Sequence, residues 1–366
     1  MFVTKETVVT ALTGGGTMNG GLVITNLASQ LAWSSDYSQS STVGIQDGLS
    51  SGYWYSGGGN IQLIAFSIIS VMFKIHCPGA ITMMQMIRAR FGAFAHLTFC
   101  VYGLLANIIV IGILMLGGCQ NIVNLSQGIS FELCAMLIVI VIGVYVSTSG
   151  VSSNYYISYL TTNALLIAAT IFSFTFFFGT GDPDRTPFVG NISMIYQLVT
   201  CRKISSVKTN LNGSYLTFQS SESLKLAAIN VIGICSTVFL DQSYWAASVV
   251  AKPKEGLVGF IGAGFVWFAT PFTIANTFSL FYLSYGSLYG KDLLSPIQID
   301  QGLAPEVVAS QLLGQTGQII LTLMMMAAIS TTASAEVFAV TSIVIYDIFA
   351  IYIKVLVFIR LAIIFS

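Results

Sequence analysis

The sequence is short of charge. Only 8% of its 366 residues are Asp, Glu, Lys or Arg, against roughly 25% in soluble domains, while 55% are hydrophobic and the mean hydropathy is +0.83. The net charge is zero and no basic run occurs, so nothing in the sequence points to a nucleic-acid partner. The six cysteines are scattered without a CxxC pair, which argues against a redox or metal site. The composition is that of a chain built for a lipid bilayer.

Apolar runs of about 20 residues, the length that crosses a bilayer, recur along the chain. They follow a polar opening segment, residues 21–55, and are interrupted by one long polar loop. The runs cover residues 54–73, 93–123, 131–146, 155–179, 224–250, 256–285 and 307–349, and a last fragment covers 351–366. With the opening segment counted as a span, the sequence predicts an all-α, polytopic membrane protein of about eight spans.

The basic residues orient these spans. If the first span enters from the cytoplasm, one side collects Lys74, Arg88, Arg90, Lys252, Lys254, Lys354 and Arg360, whereas Lys291 is basic in a short loop of the opposite side. The long loop on that opposite side carries N-glycosylation sequons at Asn191 and Asn212. Both signals place the long loop outside the cell and predict a plasma-membrane protein that is glycosylated at these two residues.

The opening segment is too polar to face lipid. Trp33 is followed almost without an apolar break by Ser34, Ser35, Asp36, Ser38, Gln39, Ser40 and Ser41. Polar or non-helical backbone at membrane depth is tolerated only where it is buried in protein or lines a water-filled cavity. We interpret this segment as an interrupted helix that lines such a cavity.

Four carboxylates lie in or at the ends of apolar spans, where each needs a partner, a proton or a ligand. Small and polar neighbours surround Asp36 and Asp241, and this setting favours a functional role. For Glu336 a structural pairing and a functional role stay open. Asp347 lies near the inner end of its span, which favours a structural role as a cap or as a partner of Lys354.

The last long span changes from bulky to small and hydroxylated residues around Ala328, Thr331 and Thr332. Small residues let membrane helices approach closely, so ordinary packing explains the pattern. Adjacent hydroxyl groups beside an interrupted helix are also suitable oxygen ligands for a small cation. The spacing of these residues alone does not choose between the two explanations.

A series of motifs occurs in a fixed order along the chain. It comprises QSS (39–41), YWY (53–55), NIQ (60–62), RARFG (88–92), GSYLT (213–217), DQSYW (241–245), WFATPF (267–272), SAEV (334–337) and YDIF (346–349). In these motifs the chain resembles the sodium:solute symporter family, specifically its urea transporter branch of plants and fungi. The resemblance extends from about residue 20 to about residue 350.

The resemblance implies a LeuT-type fold, in which five spans repeat in inverted topology and the first helix of each repeat is broken. Residues 1–20 would be an N-terminal segment, 21–179 the first repeat, 180–223 an extracellular loop and 224–366 a partial second repeat, with its break expected at 233–236. The second repeat here has three spans and a fragment instead of five, so we expect the 366-residue chain by itself to transport nothing.

Carried over by position, the resemblance also implies two sites. A solute cavity would involve Trp33, Ser35, Asp36, Gln39, Ser236, Thr237, Asp241 and Gln242. A sodium-type site would use backbone carbonyls at Ser29 and Ala32, together with Ala328, Thr331 and Thr332. Urea has four N–H donors, one carbonyl acceptor and a flat frame, so carboxylates, hydroxyl groups and an indole face would suit it.

The implied function is secondary active transport of urea or a urea-like solute, driven by a proton or sodium gradient, without enzymatic activity or a cofactor. The chain departs from the branch at Asp36, where its relatives have Thr, at Thr161, where they have His, and at Ile81 and Gln85, where His and Glu are expected. Asp36 would then bind an amine or carry the proton. The alternatives are an importer of polyamines or other amines, and a non-transporting sensor or truncated gene product.

Overall fold

The computed structural model describes residue 16 and residues 18–125, 128–148, 150–202 and 207–353, and helices dominate this part of the chain. In chain order they are α1 (Gly20–Leu31), α2 (Ser34–Asp47), α3 (Leu49–His76), α4 (Met83–Leu125), α5 (Phe131–Thr148), α6 (Val151–Phe178), α7 (Ile192–Thr200), α8 (Ser221–Leu240), α9 (Gln242–Val250), α10 (Pro253–Tyr289), α11 (Pro296–Asp300) and α12 (Ala304–Ser342), which continues as a π-helix over Ile343–Ile353.

Six of the described helices are long and apolar enough to cross a membrane: α3, α4, α6, α8, α10 and α12 with its π-helical end. Helix α5 contains a shorter apolar segment, Phe131–Val144. The broken pair of α1 and α2 is the polar opening segment. With α5 and this pair included, the structure agrees with the predicted eight spans, and the prediction of an all-α, multi-pass membrane protein is confirmed.

Two of the spans are broken, as the LeuT-type arrangement requires. The first break separates α1 from α2 at Ala32 and Trp33. The second separates α8 from α9 at Asp241, which has an extended backbone. The expected position of this second break, residues 233–236, is therefore wrong. Gly233 is tolerated inside α8, and the helix ends where the carboxylate of Asp241 can cap the next helix.

Helix α10 lies at the centre of the bundle and packs against α1, α2 and α3, while α12 packs against α4 and α6. Glycines allow α1 and α10 to approach closely. A Cβ atom at Gly259 would lie 2.4 Å from a methyl carbon of Val23, and one at Gly262 would lie 2.7 Å from Ile24. Small residues commonly produce such contacts between membrane helices. In this bundle both breaks lie beside α12 and α4.

The polar loop covers the ends of α2 and α3 that meet at Gly48. Gly48 joins these helices at φ 81, and a Cβ atom there would lie 2.2 Å from the carbonyl oxygen of Tyr215. The backbone N–H of Leu49 donates to that same oxygen at 2.9 Å, and the Asn210 amide donates to the carbonyl of Asp47 at 2.7 Å. Only glycine adopts this left-handed backbone without strain at such a close contact.

Candidate solute and cation site

The first break leaves carbonyl groups at the end of α1 without helical partners, and side chains supply the missing donors. The indole N–H of Trp33 donates to the carbonyl of Gln30 at 3.0 Å, and that of Trp267 donates to the carbonyl of Leu31 at 2.9 Å. The backbone N–H of Trp33 also donates to the carbonyl of Leu31, at 3.0 Å. The two tryptophans thus fix the geometry of the break.

Asp36 caps the helix that follows this break. Its Oδ2 accepts from the backbone N–H of Trp33 at 3.2 Å, and its Oδ1 accepts from the hydroxyl of Tyr55 at 2.8 Å. A carboxylate in the first turn of a helix is also stabilised by the helix dipole. Asp36 is half-buried and has two donors, so it needs no cation beside it to remain at this position.

The second break repeats this design with different residues. Asp241 is the N-cap of α9, and its carboxylate accepts from the backbone N–H of Ser243 at 2.7 Å and from the Ser243 hydroxyl at 2.8 Å. The indole of Trp245 reaches back to the carbonyl of Phe239 at 3.0 Å. An aspartate and a tryptophan therefore stabilise each of the two breaks.

The second break also carries a second carboxyl group. Asn107, in α4, donates its side-chain amide to Asp241 at 2.9 Å and to Glu336 of α12. All three side chains are buried. The phenol of Tyr244 lies within electrostatic range of three carboxyl groups, those of Asp241, Glu336 and Asp36. Glu336 thus interacts with Asp241 and Asn107 at the second break.

The predicted solute residues of α2 lie at or beside the first break. Trp33, Ser35 and Asp36 follow one another at the first break and are half-buried, whereas Gln39 is exposed. Ser35 contacts α4, because a Cβ atom added to Gly117 of α4 would lie 3.2 Å from the Cβ atom of Ser35. The structure therefore brings Trp33, Ser35 and Asp36 together, with Gln39 one turn further along the same helix.

The predicted residues around the second break separate into different environments. Ser236 and Thr237 lie on α8, and their hydroxyls donate to the carbonyls of Ile232 and Gly233 one turn earlier. Gln242 is fully buried and turns toward the start of α4, where its side chain accepts from the backbone N–H of Met83 at 3.1 Å. Asp241 is the member of this set that interacts with Asn107 and Glu336.

Sequence reasoning missed Tyr55, Asn107 and Tyr244, which surround the carboxylates. Asn107 had a visible signal, because it is the single amide in the strongly apolar stretch of residues 93–119. Tyr244 lies in the DQSYW motif but carries no charge. No sequence spacing connects Tyr55 with Asp36, because their contact depends on how α3 folds back against α2.

The residues of the predicted cation site meet between α1 and α12. The hydroxyl of Thr332 donates to the carbonyl of Ser29 at 3.1 Å and to that of Ala328 at 3.0 Å. Thr331 donates to the carbonyl of Ala328 at 3.3 Å, and Ala32 is buried at the break. Unwound backbone beside hydroxyl-bearing helices is the setting in which transporters of this architecture hold sodium or protons.

A separate cluster, in which His96 and Asp347 are buried, lies at the end of the bundle that carries Lys74 and Arg88. Asp347 lies 3.1 Å from Nε2 of His96, and the hydroxyl of Tyr352 lies 2.9 Å from Nδ1 of the same ring. His96 thus gives Asp347 a structural partner, whereas the predicted contact of Asp347 with Lys354 lies outside the described residues.

The two sequons occupy exposed positions. Asn191 is the N-cap of α7, where its side chain accepts from the backbone N–H of Met194 at 3.1 Å. Asn212 lies in the loop before α8 with its backbone in the left-handed region, at φ 57. Glycosylation at both residues stays a prediction.

Two broken spans within one helical bundle are characteristic of the LeuT-type fold. The fold is similar to that of a Na+-coupled sialic acid symporter in a substrate-bound outward-open state, with a TM-score of 0.72 and 14% identity. This match covers 99% of the present chain and 74% of the other chain, and it confirms the predicted fold class. A comparison with protein-family models finds no match.

Relatives with closer sequences are urea transporters by name. The chain is 32% identical over 354 residues to the urea-proton symporter DUR3 of Oryza sativa subsp. japonica, a match that covers 93% of this chain and 48% of that protein. It is 31% identical to the urea active transporter of Saccharomyces cerevisiae, over 93% of this chain and 46% of the relative. A probable urea active transporter 1 of Schizosaccharomyces pombe is 30% identical, with 93% and 51% covered.

These matches confirm the resemblance to the urea transporter branch that the sequence motifs indicate. The chain spans about half the length of the curated relatives that it matches.

Proposed function

We propose that this protein carries out secondary active transport of urea, or of a urea-like small solute, driven by a proton or sodium gradient. The observation that carries the proposal is the similarity to urea transporters over 93% of the chain. The two helix breaks support it, because they place hydroxyl, amide and carboxylate groups within the helical bundle. The proposal assigns the protein no enzymatic reaction and no cofactor other than the coupling ion.

The chemistry around the first break suits a neutral, planar solute. The backbone and Tyr55 each donate one hydrogen bond to Asp36, so each of its oxygens keeps a lone pair that can accept an N–H group of the solute. Trp33 offers an aromatic face beside it, and Ser35 supplies a hydroxyl that can donate to a carbonyl oxygen. We propose that these residues, together with Gln39, Ser236, Thr237, Asp241 and Gln242, form the solute pathway.

We further propose that the coupling cation binds between Ser29, Ala32, Ala328, Thr331 and Thr332. The oxygens of Ser29 and Thr332 already lie 3.1 Å apart, so a small rearrangement would let both face one ion. The plasma membrane is the proposed location, with the loop of residues 180–223 on the outside, because basic residues gather at the opposite end of the spans.

Uptake of labelled urea tests the proposal. The 366-residue chain and the longest reading frame that contains it are expressed in cells that lack their own urea uptake. Saturable uptake above that of mock-transfected cells is expected for at least one of them. Collapse of uptake by a protonophore, or by replacement of sodium with choline, identifies the ion. Absence of uptake by either form at full surface expression would contradict the proposal and favour the sensor or truncated-product alternative.

A polyamine importer is the second candidate, and the carboxylate of Asp36 at the break favours it. The variants Asp36→Asn and Asp36→Thr separate the two functions in the same assay. If the solute is an amine, both variants abolish uptake of labelled spermidine. If the solute is urea, saturable urea uptake persists, and spermidine neither enters the cells nor competes. We expect the urea result, because the two donors to Asp36 reduce its need for a cationic partner.

A further inference from the structure

Glu336 and Asp241 form a buried pair of carboxyl groups at the second helix break. Glu336 belongs to α12, and Asp241 joins α8 to α9. The two groups lie within hydrogen-bonding distance of each other, and both accept from the side-chain amide of Asn107 in α4. Three separate spans therefore meet at this pair.

Two ionised carboxylates cannot hydrogen-bond to each other, because each is an acceptor without a donor. None of the hydrogen bonds that the pair makes within the described residues comes from Lys, Arg or His. Two negative charges at this separation, buried and without a neutralising cation, are strongly unfavourable. The contact is stable when the pair holds one proton.

A second feature of the site is the orientation of the Asn107 amide. Oδ1 of Asn107 is buried and has no hydrogen-bond partner in the part of the chain that the structure describes. This amide is fully buried and its other end points between the two carboxyl groups. The Nδ2 group carries two N–H bonds, so it can donate to both carboxyl groups at once while the proton lies between their oxygens. Asn107 therefore matches a singly protonated pair.

The donors around the pair show which group holds the proton. Asp241 accepts from the backbone and the hydroxyl of Ser243 as well as from Asn107, and these bonds stabilise its ionised form. Glu336 has the Asn107 amide as its donor in the described structure. The ionised carboxylate is thus Asp241 and the protonated acid is Glu336.

The titratable groups on the surrounding helices leave this assignment in place. Helix α9 presents the phenol of Tyr244, and α2 presents Asp36, which lies within range of Tyr244 and is held by Tyr55 of α3. Helix α4 presents the neutral Asn107. These neighbours add negative or neutral groups, so they provide no cation that would replace a proton.

We infer that Glu336, Asp241 and Asn107 form a proton-binding site at the second helix break, in which Glu336 carries a proton that it donates to Asp241. Release of the proton leaves two buried charges that repel each other and separates α12 from the α8–α9 break. Because α12 also holds the proposed cation residues, the protonation state of the pair controls how α12 packs against both breaks. This role in transport rests on the proposed function, whereas proton binding by itself does not.

Infrared difference spectroscopy tests the proton without any transport. The 366-residue chain is reconstituted in phosphatidylcholine nanodiscs, and the carbonyl-stretch band of protonated carboxylic acids is recorded at neutral pH. Glu336→Gln preserves the shape of the side chain, and we expect it to remove one band that wild type shows. Asp241→Asn is expected to shift that band, because Glu336 then faces an amide. Glu222→Gln is the matched control, because Glu222 lies exposed on α8 and pairs with Lys225.

A spectrum that loses no carboxylic-acid band in Glu336→Gln would overturn the assignment. If Glu336→Gln does not fold, Asp241→Asn decides instead. A shifted carboxylic-acid band supports a protonated Glu336, and an unshifted band contradicts it. Urea uptake by an uptake-competent form then tests the role in coupling. Glu336→Gln is expected to abolish accumulation against a gradient and the dependence of uptake on pH while urea exchange persists. Retained proton-driven accumulation would refute coupling through Glu336, whereas a wild type that takes up no urea refutes the proposed function alone.

Discussion

The two helix breaks of this protein share one architecture but differ in electrostatics. At each break an indole donates to a carbonyl of the preceding helix, and an aspartate caps the following one. At the first break, hydroxyl and backbone donors satisfy Asp36. At the second break, Asp241 shares an amide with a second carboxyl group, that of Glu336. Uncharged hydrogen-bond donors satisfy the single carboxylate of the first break, whereas the pair of carboxyl groups at the second break requires a proton.

This difference separates two tasks within one inverted-repeat fold. The first break lies beside the hydroxyls of Thr331 and Thr332 and offers oxygen ligands suited to a cation. The second break has an excess of acidic groups, which is suited to a proton. A protein with both devices can respond to two ions at two places in α12. Substitutions at each break can therefore test the two tasks separately.

Removal of both hydroxyls beside the first break is expected to give the largest effect. Thr331→Val with Thr332→Val preserves side-chain volume but deletes two oxygen ligands, and each lost ligand should cost on the order of 1–3 kcal/mol of cation binding. The cation concentration for half-maximal uptake should rise more than tenfold, as measured by labelled-urea uptake over a sodium titration.

Thr341→Val is the matched control, because Thr341 belongs to the same helix and donates within it, to the carbonyl of Val337 at 2.7 Å. It should leave the cation dependence unchanged. If the double variant keeps the parent's cation dependence at normal expression, the two hydroxyls serve helix packing and the first break has no cation task.

Loss of the cap at the second break is expected to come next. Asp241→Ala removes the N-cap of α9 and one partner of the buried Asn107 amide, for a combined cost of roughly 2–3 kcal/mol. Asp36→Ala should cost about 1 kcal/mol, because the backbone N–H of Trp33 keeps the carbonyl of Leu31 as an acceptor and the hydroxyl of Tyr55 is the group that loses its partner. The midpoints of thermal unfolding in detergent compare the two variants.

Asp241→Asn refines this comparison, because asparagine caps helices as well as aspartate does. We expect it to recover most of the stability that Asp241→Ala loses, since a side-chain oxygen can again accept from Ser243. If Asp36→Ala proves as destabilising as Asp241→Ala, the two breaks do not differ in how strongly their carboxylates support the fold.

Much of the fold could be predicted from the sequence, because the length of apolar runs and the polarity of residues 21–55 are local properties. The first break followed from the polar residues after Trp33. The second break could not be located in the same way, because a glycine and a serine at 233 and 236 look like helix breakers and yet lie inside α8. The residue that ends the helix is Asp241, and its capping role becomes visible only with Ser243 placed beside it.

The candidate site was predictable only in part, for a related reason. Thr331, Thr332 and Ser29 were identified through the family resemblance, and the structure brings them together. The contact of Glu336 with Asp241 and Asn107 joins residues that are 95 to 229 positions apart, so no spacing rule connects them. Asp347 shows the same limit, since its partner His96 comes from a helix that is distant in sequence.

The smallest effect is expected from the tryptophans that support the two breaks. Trp267→Phe keeps most of the buried aromatic volume and removes the N–H that donates to Leu31 at 2.9 Å. A hydrogen bond between membrane helices contributes about 1 kcal/mol, so the unfolding midpoint should fall by a few degrees. Trp245→Phe removes the indole N–H that donates to the carbonyl of Phe239 within one broken span. Its unfolding midpoint should fall by no more than that of Trp267→Phe.

The functional effects of the two changes should differ more than their effects on stability. The carbonyl of Leu31 lies two residues after that of Ser29, so loss of the Trp267 donor loosens backbone that belongs to the proposed cation site. Trp267→Phe should therefore raise the cation concentration for half-maximal uptake by up to about fivefold, which corresponds to ~1 kcal/mol, whereas Trp245→Phe should leave it unchanged. Equal shifts in both variants would show that the breaks move as one unit and that the cation site does not depend on the first break alone.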